Sequence, residues 1–305
     1  MSRRIVLGSR GSKLALTQAE LVAAKIREAN PELEISVRRI GTEGDRNHTM
    51  PLENMAGIGV FIKELEDALF DGRIDLAVHS LKDMPAQLPS GLRLAAVMER
   101  LDPRDVLISR GQKLSELVPG ARVGTGSLRR AVQLNIFRPG LEICSIRGNV
   151  DTRLRKVADG EFDGALLAAA GIKRLGQEDR INEYLSPEYF LPAVGQGALA
   201  VEIRSDDKET TEIITLLNHL TTWRNITAER SFLIALGGGC RAPIAALATT
   251  NGTTLKLEGM VADAVKKKMV RSAEEGNSAK PEDLGEKLAQ KLLAMGAAEF
   301  IAEAR

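Results

Sequence analysis

Apolar positions in this chain come in short runs, separated by stretches with helical spacing. Ile5-Val6-Leu7 is a three-residue run that ends in Gly8-Ser9-Arg10-Gly11-Ser12. Leu14, Gln18, Leu21, Val22 and Ile26 then fall near one helical face, which predicts a helix over 13–28 with Ser12 as its cap. Ile35, Val37 and Arg39 alternate as a strand does, and Val60, Phe61, Leu65, Ala68 and Leu69 return to helical spacing. Leu76-Ala77-Val78 is another short strand, running into His79-Ser80-Leu81-Lys82-Asp83-Met84-Pro85. Strand alternating with helix predicts an α/β domain with mostly parallel strands.

The same alternation resumes after the polar stretch 99–104. Val106-Leu107-Ile108 and Arg122-Val123 read as strands, and Gly124-Thr125-Gly126-Ser127 opens a helix carrying Arg129 and Arg130. Ile143-Cys144-Ser145-Ile146 leads through Arg147-Gly148-Asn149 into a helix carrying Arg153. Cys144 reads as core. Gly164–Ala168 is a buried strand or a helix start, ahead of Arg174. Residues 192–204 look like a return segment. Two helices follow, at 207–219 and 222–236, then Gly237-Gly238-Gly239. Strands are expected at 243–249, 254–263 and 268–273, with Lys266-Lys267-Lys268 as a hairpin turn, and a last helix at 281–295. Helices followed by adjacent strands suggest a separate α+β domain. No internal repeat is visible.

A length of 305 residues asks for two or three domains. Net charge is +1 and aromatics are 3%, so neither a global field nor a stacking surface points to nucleic acid or membrane. No apolar run approaches the roughly 20 residues of a membrane span, and the basic start of the chain lacks the apolar region of a signal peptide. Two cysteines and three histidines show no metal-ligand spacing. A reducing cytoplasm is the expected compartment.

Any cationic function must therefore be local. Arg10, Arg129, Arg130, Arg147, Arg153 and Arg174 all fall in or just after predicted βα turns. That is the edge at which parallel sheets bind ligands and helix N-termini favour anions. The arginine fork binds carboxylate in a bidentate way, so the set predicts a ligand with several carboxylates or phosphates. Taken singly, each arginine reads more readily as a solvated helix residue; the six together do not, because glycine, serine or asparagine lies close to most of them. Lys82-Asp83 places a carboxylate beside a cation in a loop held by Pro85, suited to acid–base work or to stabilising a cation; the plain alternative is a turn aspartate. Cys240 follows three glycines, which let a ligand approach closely, and precedes Arg241, which favours the thiolate.

Six segments together resemble the hydroxymethylbilane synthase (porphobilinogen deaminase) family: GSRGSKLAL at 8–16, VHSLKDMP at 78–85, VGTGSLRR at 123–130, IRGNVDTRL at 146–154, PAVGQGALAVE at 192–202 and ERSFLIALGGGCRAPI at 229–244. The resemblance implies two periplasmic-binding-protein-like α/β domains with an interdomain cleft, plus a smaller C-terminal α+β domain. Their expected boundaries are 1–98 with 193–217, then 103–192, then 220–305. It implies a transferase that condenses four porphobilinogen molecules head to tail, releasing ammonia, and frees linear hydroxymethylbilane by hydrolysis. A dipyrromethane primer would be bound through a thioether to Cys240. Asp83 would be the catalytic carboxylate. Lys82, Ser80, Thr125, Ser127, Arg129, Arg130, Arg147 and Gly148 would contact cofactor. Arg10, Ser12, Arg153, Arg174, Asn149 and Gln196 would contact substrate. No metal is implied, and a monomer is expected.

Two positions depart from the family pattern: Ile58 stands where a lysine is frequent, and Gly126 where a serine is. The rival readings are a solute-binding module, which needs an export signal and has no use for Cys240, and a different transferase with the same anion-binding site.

Overall fold

The computed structural model describes residues 4–41, 62–237 and 242–303. The expectations for Ile58 and Cys240 lie outside these. The chain divides into two compact units, Met1–Arg100 with Ala198–Trp223, and Leu101–Gly197 with Arg224–Arg305.

In the first unit, β1 (Arg4–Ser9), β2 (Glu34–Arg39), β3 (Leu76–Ser80), β4 (Leu92–Val97) and β10 (Leu199–Arg204) form one sheet in the order β2-β1-β3-β10-β4. β1 runs parallel to β2 and β3, whereas β10 is antiparallel to β3 and β4. The return segment of the sequence reading is therefore a central strand. Helix α1 (Lys13–Ala29) covers one face, where Val22 and Ile26 pack with Ile5, Leu7, Leu76 and Val78. Helix α2 (Lys63–Phe70) covers the other, where Leu65 and Leu69 pack with Ala77 and Val6. Burial on both faces explains why β1 and β3 are continuous apolar runs rather than alternating ones. Ser12 caps α1 by accepting from the Ala15 amide at 3.2 Å.

The second unit repeats that plan. β5 (Asp105–Ser109), β6 (Arg122–Gly124), β7 (Glu142–Cys144), β8 (Gly164–Ala168) and β9 (Glu183–Tyr184) lie in the order β7-β6-β8-β5-β9. Again one antiparallel strand, β5, joins a parallel set. Helices α3 (Leu128–Phe137), α4 (Val150–Ala158) and α5 (Ala169–Arg174) follow β6, β7 and β8. The small-residue run at 164–168 is a strand. Cys144 is half-buried on the edge strand β7, where it packs against the core of this unit from its margin rather than from its centre.

After α6 (Lys208–Thr215), shorter than expected, and α7 (Leu220–Ala235), which starts two residues earlier than expected, comes a three-stranded antiparallel meander. Its strands are β11 (Ile244–Asn251), β12 (Thr254–Asp263) and β13 (Lys268–Asn277). The lysine triplet forms the β12–β13 turn, with Lys267 at φ 54. The last helix, α8 (Pro281–Leu292), gives way to a π turn at Leu293–Ala297 where Gly296 takes φ 103, and then to α9 (Ala298–Glu303). The resemblance's two like α/β bodies and a smaller sheet-bearing region are all present.

Gly285 of α8 meets α7 backbone to backbone. A Cβ there would lie 2.5 Å from the Ala228 carbonyl oxygen and 2.7 Å from the Phe232 nitrogen. Gly285→Ala is expected to cost about 1–3 kcal/mol by overpacking, read as a lower urea midpoint. An unchanged midpoint would show that the two helices part easily.

Candidate active site

In the first unit β3 ends at Ser80, and the chain turns at once into a single 3-10 turn, Leu81–Asp83. The Met84 amide closes that turn on the Leu81 carbonyl at 3.1 Å. Leu81 is buried, Lys82 is half-buried and Asp83 is exposed. The buried leucine anchors the turn and leaves the carboxylate outside. Asp83, Ser80, Arg10 and Ser12 line one cavity together with Gln18 and His79. Segments separated in sequence thus meet where β1 and β3, parallel neighbours, both end. Gln18 holds Ser80 through its side chain, at 3.0 Å from Nε2 to Oγ. Sequence reading put Gln18 on the inner face of α1 without seeing that it reaches the cavity.

The second unit holds the arginine cluster. Ser127 caps α3, accepting from the Arg130 amide at 3.4 Å. The cap places Arg129 and Arg130 in the first turn, and both are 6% exposed. Neither is a solvated helix residue. Their guanidinium groups converge on Asp105, itself fully buried at the start of β5, at 2.7 Å from Arg129 Nη1 and 2.9 Å from Arg130 Nε. Gln196 Nε2 donates to the same carboxylate at 2.9 Å and to the Pro103 carbonyl at 2.7 Å. Burial alone would raise the pKa of Asp105; the two guanidiniums outweigh it and hold the carboxyl well below its ordinary value.

Asp105 was not singled out from sequence. Its only local signal is a place beside Arg104 in a polar stretch.

The other expected residues lie around this cluster or at helix starts in the same unit. Thr125 is buried and accepts from the Ser127 amide at 3.1 Å. Gly148 has φ 104, a backbone shape that favours glycine. A Cβ there would press to 2.6 Å from Thr152 Cγ2. Asn149 caps α4, accepting from the Thr152 amide at 2.9 Å. Arg147 is half-buried, and Arg153 donates to the Gly148 carbonyl at 2.9 Å. Arg174 donates to the Gly197 carbonyl at 2.7 Å, and burial lowers its pKa to about 10. Room exists for a serine at Gly126, where a Cβ would stand 3.4 Å from the Ile146 carbonyl oxygen. Among the described residues no group of histidine, cysteine and carboxylate side chains has the arrangement of a metal site.

Helix α7 carries a further buried carboxylate that the sequence did not flag. Glu229 accepts from the Gly195 amide at 2.7 Å and the Ala248 amide at 2.9 Å. It ties the turn that bears Gln196 to β11 and to the helix running toward the glycine–cysteine segment.

One buried carboxylate faces two buried guanidiniums in the arginine cluster, which leaves a surplus positive charge. The Nε atoms of Arg129 and Arg174 are buried without a hydrogen-bond partner among the described residues. Such sites favour an anion. The donor set suits a ligand bearing several carboxylates, and a dipyrromethane, with two on each ring, is of that kind.

Fold and site define an α/β protein with a cavity lined by Arg10 and Asp83 in one unit and a buried arginine cluster in the other. The family model described as porphobilinogen deaminase, dipyromethane cofactor binding domain, matches residues 5–212. That of the porphobilinogen deaminase C-terminal domain matches 223–294. The porphobilinogen deaminase of Syntrophus aciditrophicus is 48% identical, covering 94% of this chain and 94% of its own length. That of Pelobacter propionicus is 45% identical, covering 99% and 97%. That of Brevibacillus brevis is 48% identical, covering 97% and 96%. Among solved structures, the periplasmic VFT2 domain of Bordetella pertussis BvgS aligns at a TM-score of 0.40 and 12% identity, covering 70% of this chain and 85% of its own. The chain belongs to the porphobilinogen deaminase family, transferases of tetrapyrrole synthesis.

Proposed function

We propose that this chain condenses four porphobilinogen molecules head to tail onto a dipyrromethane held by a thioether at Cys240. Hydrolysis then frees linear hydroxymethylbilane. The observation that carries this reading is the cavity at the end of β3, where Asp83 stands with Arg10, Ser12 and Ser80. Every added ring brings an acetate and a propionate, so the substrate needs cations, and Arg10 supplies one beside Asp83.

Loss of ammonia from the substrate leaves an electron-poor methylene-pyrroline whose positive charge is shared with the ring nitrogen. The Asp83 carboxylate accepts from pyrrole N–H groups, stabilises that cation and assists removal of the ring proton. Arg129, Arg130, Arg147 and Arg153, with Lys82, Thr125, Ser127 and Gly148, are the groups that would hold the cofactor and the growing chain. Asn149, Gln196 and Arg174 support them. When bound, the dipyrromethane supplies the nucleophilic ring carbon from which the chain grows. A thioether at Cys240 resists water through every turnover, as a thioester would not.

Substrate use by the family is porphobilinogen, and the chain is read as a cytoplasmic monomer that needs neither nucleic acid nor membrane. Its near-zero net charge and the small number of its cysteines, two in 305 residues, support this. No helix among the described residues is long and apolar enough to cross a membrane.

Intact-mass measurement tests the reading. Protein from a porphyrin-producing host is expected to carry the added mass of two pyrrole units on the peptide containing Cys240, and Cys240→Ala to lack both that mass and turnover. Full activity with an unmodified Cys240 thiol would overturn the covalent assignment.

A further inference from the structure

Arg39 ends β2, the edge strand of the first sheet, and its register partner is Ser9 of β1. The Ile40 amide donates to the Ser9 carbonyl at 2.8 Å, so the two strand ends are held side by side. The pleat of the strand fixes the direction of the side chain. Ile35 and Val37 pack on the α1 face of the sheet with Ile5, Leu7 and Val78, whereas Ile40 packs on the α2 face with Leu65. Arg39 falls in step with Ile35 and Val37 and so shares the α1 face. The cavity that holds Asp83 lies on that same face, since Leu14, Ala15 and Gln18 of α1 line it with Val78 and Ser80.

The Arg39 guanidinium folds back over Gly11. A Cβ at Gly11 would stand 2.5 Å from Arg39 Nη2 and 2.7 Å from Cζ, so the arginine head fills the place a side chain would take. Gly11 is not among the glycines with a positive φ, and its backbone would accept an alanine. What the missing side chain provides is this seat. On either side of Gly11 stand Arg10 and Ser12, both on the cavity wall.

Among the described residues Arg39 has no hydrogen-bond or ion-pair partner, and the first turn of α1 offers it no acidic side chain. Its neighbour Arg38 points to the other face and donates to the Arg73 carbonyl at 2.6 Å. A merely solvated arginine keeps its rotamer freedom by extending into water. The head of Arg39 instead lies against the cavity turn with its fork of donors uncommitted. Each pyrrole ring of the substrate brings an acetate and a propionate. Arg10 is the one guanidinium among the described residues of the wall, and it shares that wall with the negative charge of Asp83. One guanidinium cannot balance two more carboxylates there, and Arg39 is the cation seated next to it.

We propose that Arg39, seated on Gly11, binds the second side-chain carboxylate of the pyrrole ring at the Asp83 cavity, while Arg10 binds the first. This rests on the condensation reading above. Arg39 takes no part in making or breaking bonds. The carboxylates keep their charge from the bound substrate through the reaction, so the contact is made equally in both states, and its loss falls on KM and spares kcat.

The test uses the loaded full-length enzyme with porphobilinogen as the probe. Arg39→Gln is expected to keep the wild-type Tm and the two-pyrrole mass, while KM rises about tenfold and kcat stays within about twofold. Arg39→Lys, which keeps the charge but not the fork, is expected to fall between. Arg38→Gln, on the opposite face, is expected to leave KM unchanged. Gly11→Ala should also raise KM, because its methyl group pushes the guanidinium off its seat. In the Arg39→Gln background the same alanine should add little, and that coupling is a result a general loss of structure would not give. A KM within twofold of wild type in loaded Arg39→Gln, or effects of Gly11→Ala and Arg39→Gln that simply add, would overturn the proposal and leave the condensation reading intact. Absence of turnover in the loaded wild-type enzyme would overturn both.

Discussion

Asp83→Asn is expected to give a folded, normally loaded protein whose kcat is lower by about 10³-fold, within the range for a lost acid–base group. The fold should survive because Asp83 is exposed and its turn is anchored by Leu81 and closed by backbone. An amide has almost the shape of the carboxylate, so Ser80, Gln18 and Arg10 keep their places. What disappears is the negative charge. A neutral amide cannot balance a ring cation, and its NH2 group would face pyrrole N–H donors with another donor. The loss should fall on kcat rather than KM, because the cation exists only along the reaction path. Single-turnover kinetics on protein of verified mass separates the two. A kcat within threefold of wild type would remove Asp83 from the chemistry.

The other large effect is on stability. Asp105→Ala is expected to cost about 3–5 kcal/mol, the range for removing one partner of a buried ion pair. Two guanidiniums, each 6% exposed, would then sit together with no counter-charge. The corresponding fall in Tm is on the order of 10 °C for a unit of this size. Gln196 would lose an acceptor as well.

Asp105→Asn keeps the shape and is expected to cost less than the alanine change. Its effect should also depend on pH in a defined sense. The folded pKa of Asp105 lies below its unfolded value. Its contribution is therefore complete above the ordinary carboxylate range and is lost as pH falls from there toward the folded value. The gap in Tm between wild type and Asp105→Asn should narrow as the solution is made acid, measured by differential scanning calorimetry. A gap independent of pH would show that charge at Asp105 is not what holds the arginines.

The cap of α1 was legible in the chain because capping is local. Ser12 lies at the start of its own helix, and its partner is three residues away. The turn at Lys82-Asp83 was legible for the same reason. Cys144 packs at the margin of its core rather than within it, because an apolar neighbourhood looks the same on an edge strand and on an inner one, and only the pairing order of the sheet tells them apart. The end of the last helix was placed three residues too far along, at 295, because the leucine stripe continues past the point where the regular helix gives way at Leu292. The doubled α/β plan showed no repeat in the residues at all, since many side-chain sets fill one pattern of strands and helices.

The sequence by itself determined several of the short apolar strands, the capped start of α1 and the placing of arginines near strand ends, but not β4, whose residues 92–97 were not read as a strand. Those are properties of spacing and of near neighbours. Tertiary structure alone decided what the charges do. Arg129 and Arg130 meet Asp105, 24 and 25 residues back along the chain. Gln196 comes to the same carboxylate across 91 residues. His79 meets Glu202 only because β10 inserts beside β3. A buried charge must find its partner in space, and pairing between distant strands is set by the packing of the whole sheet, which no local pattern records.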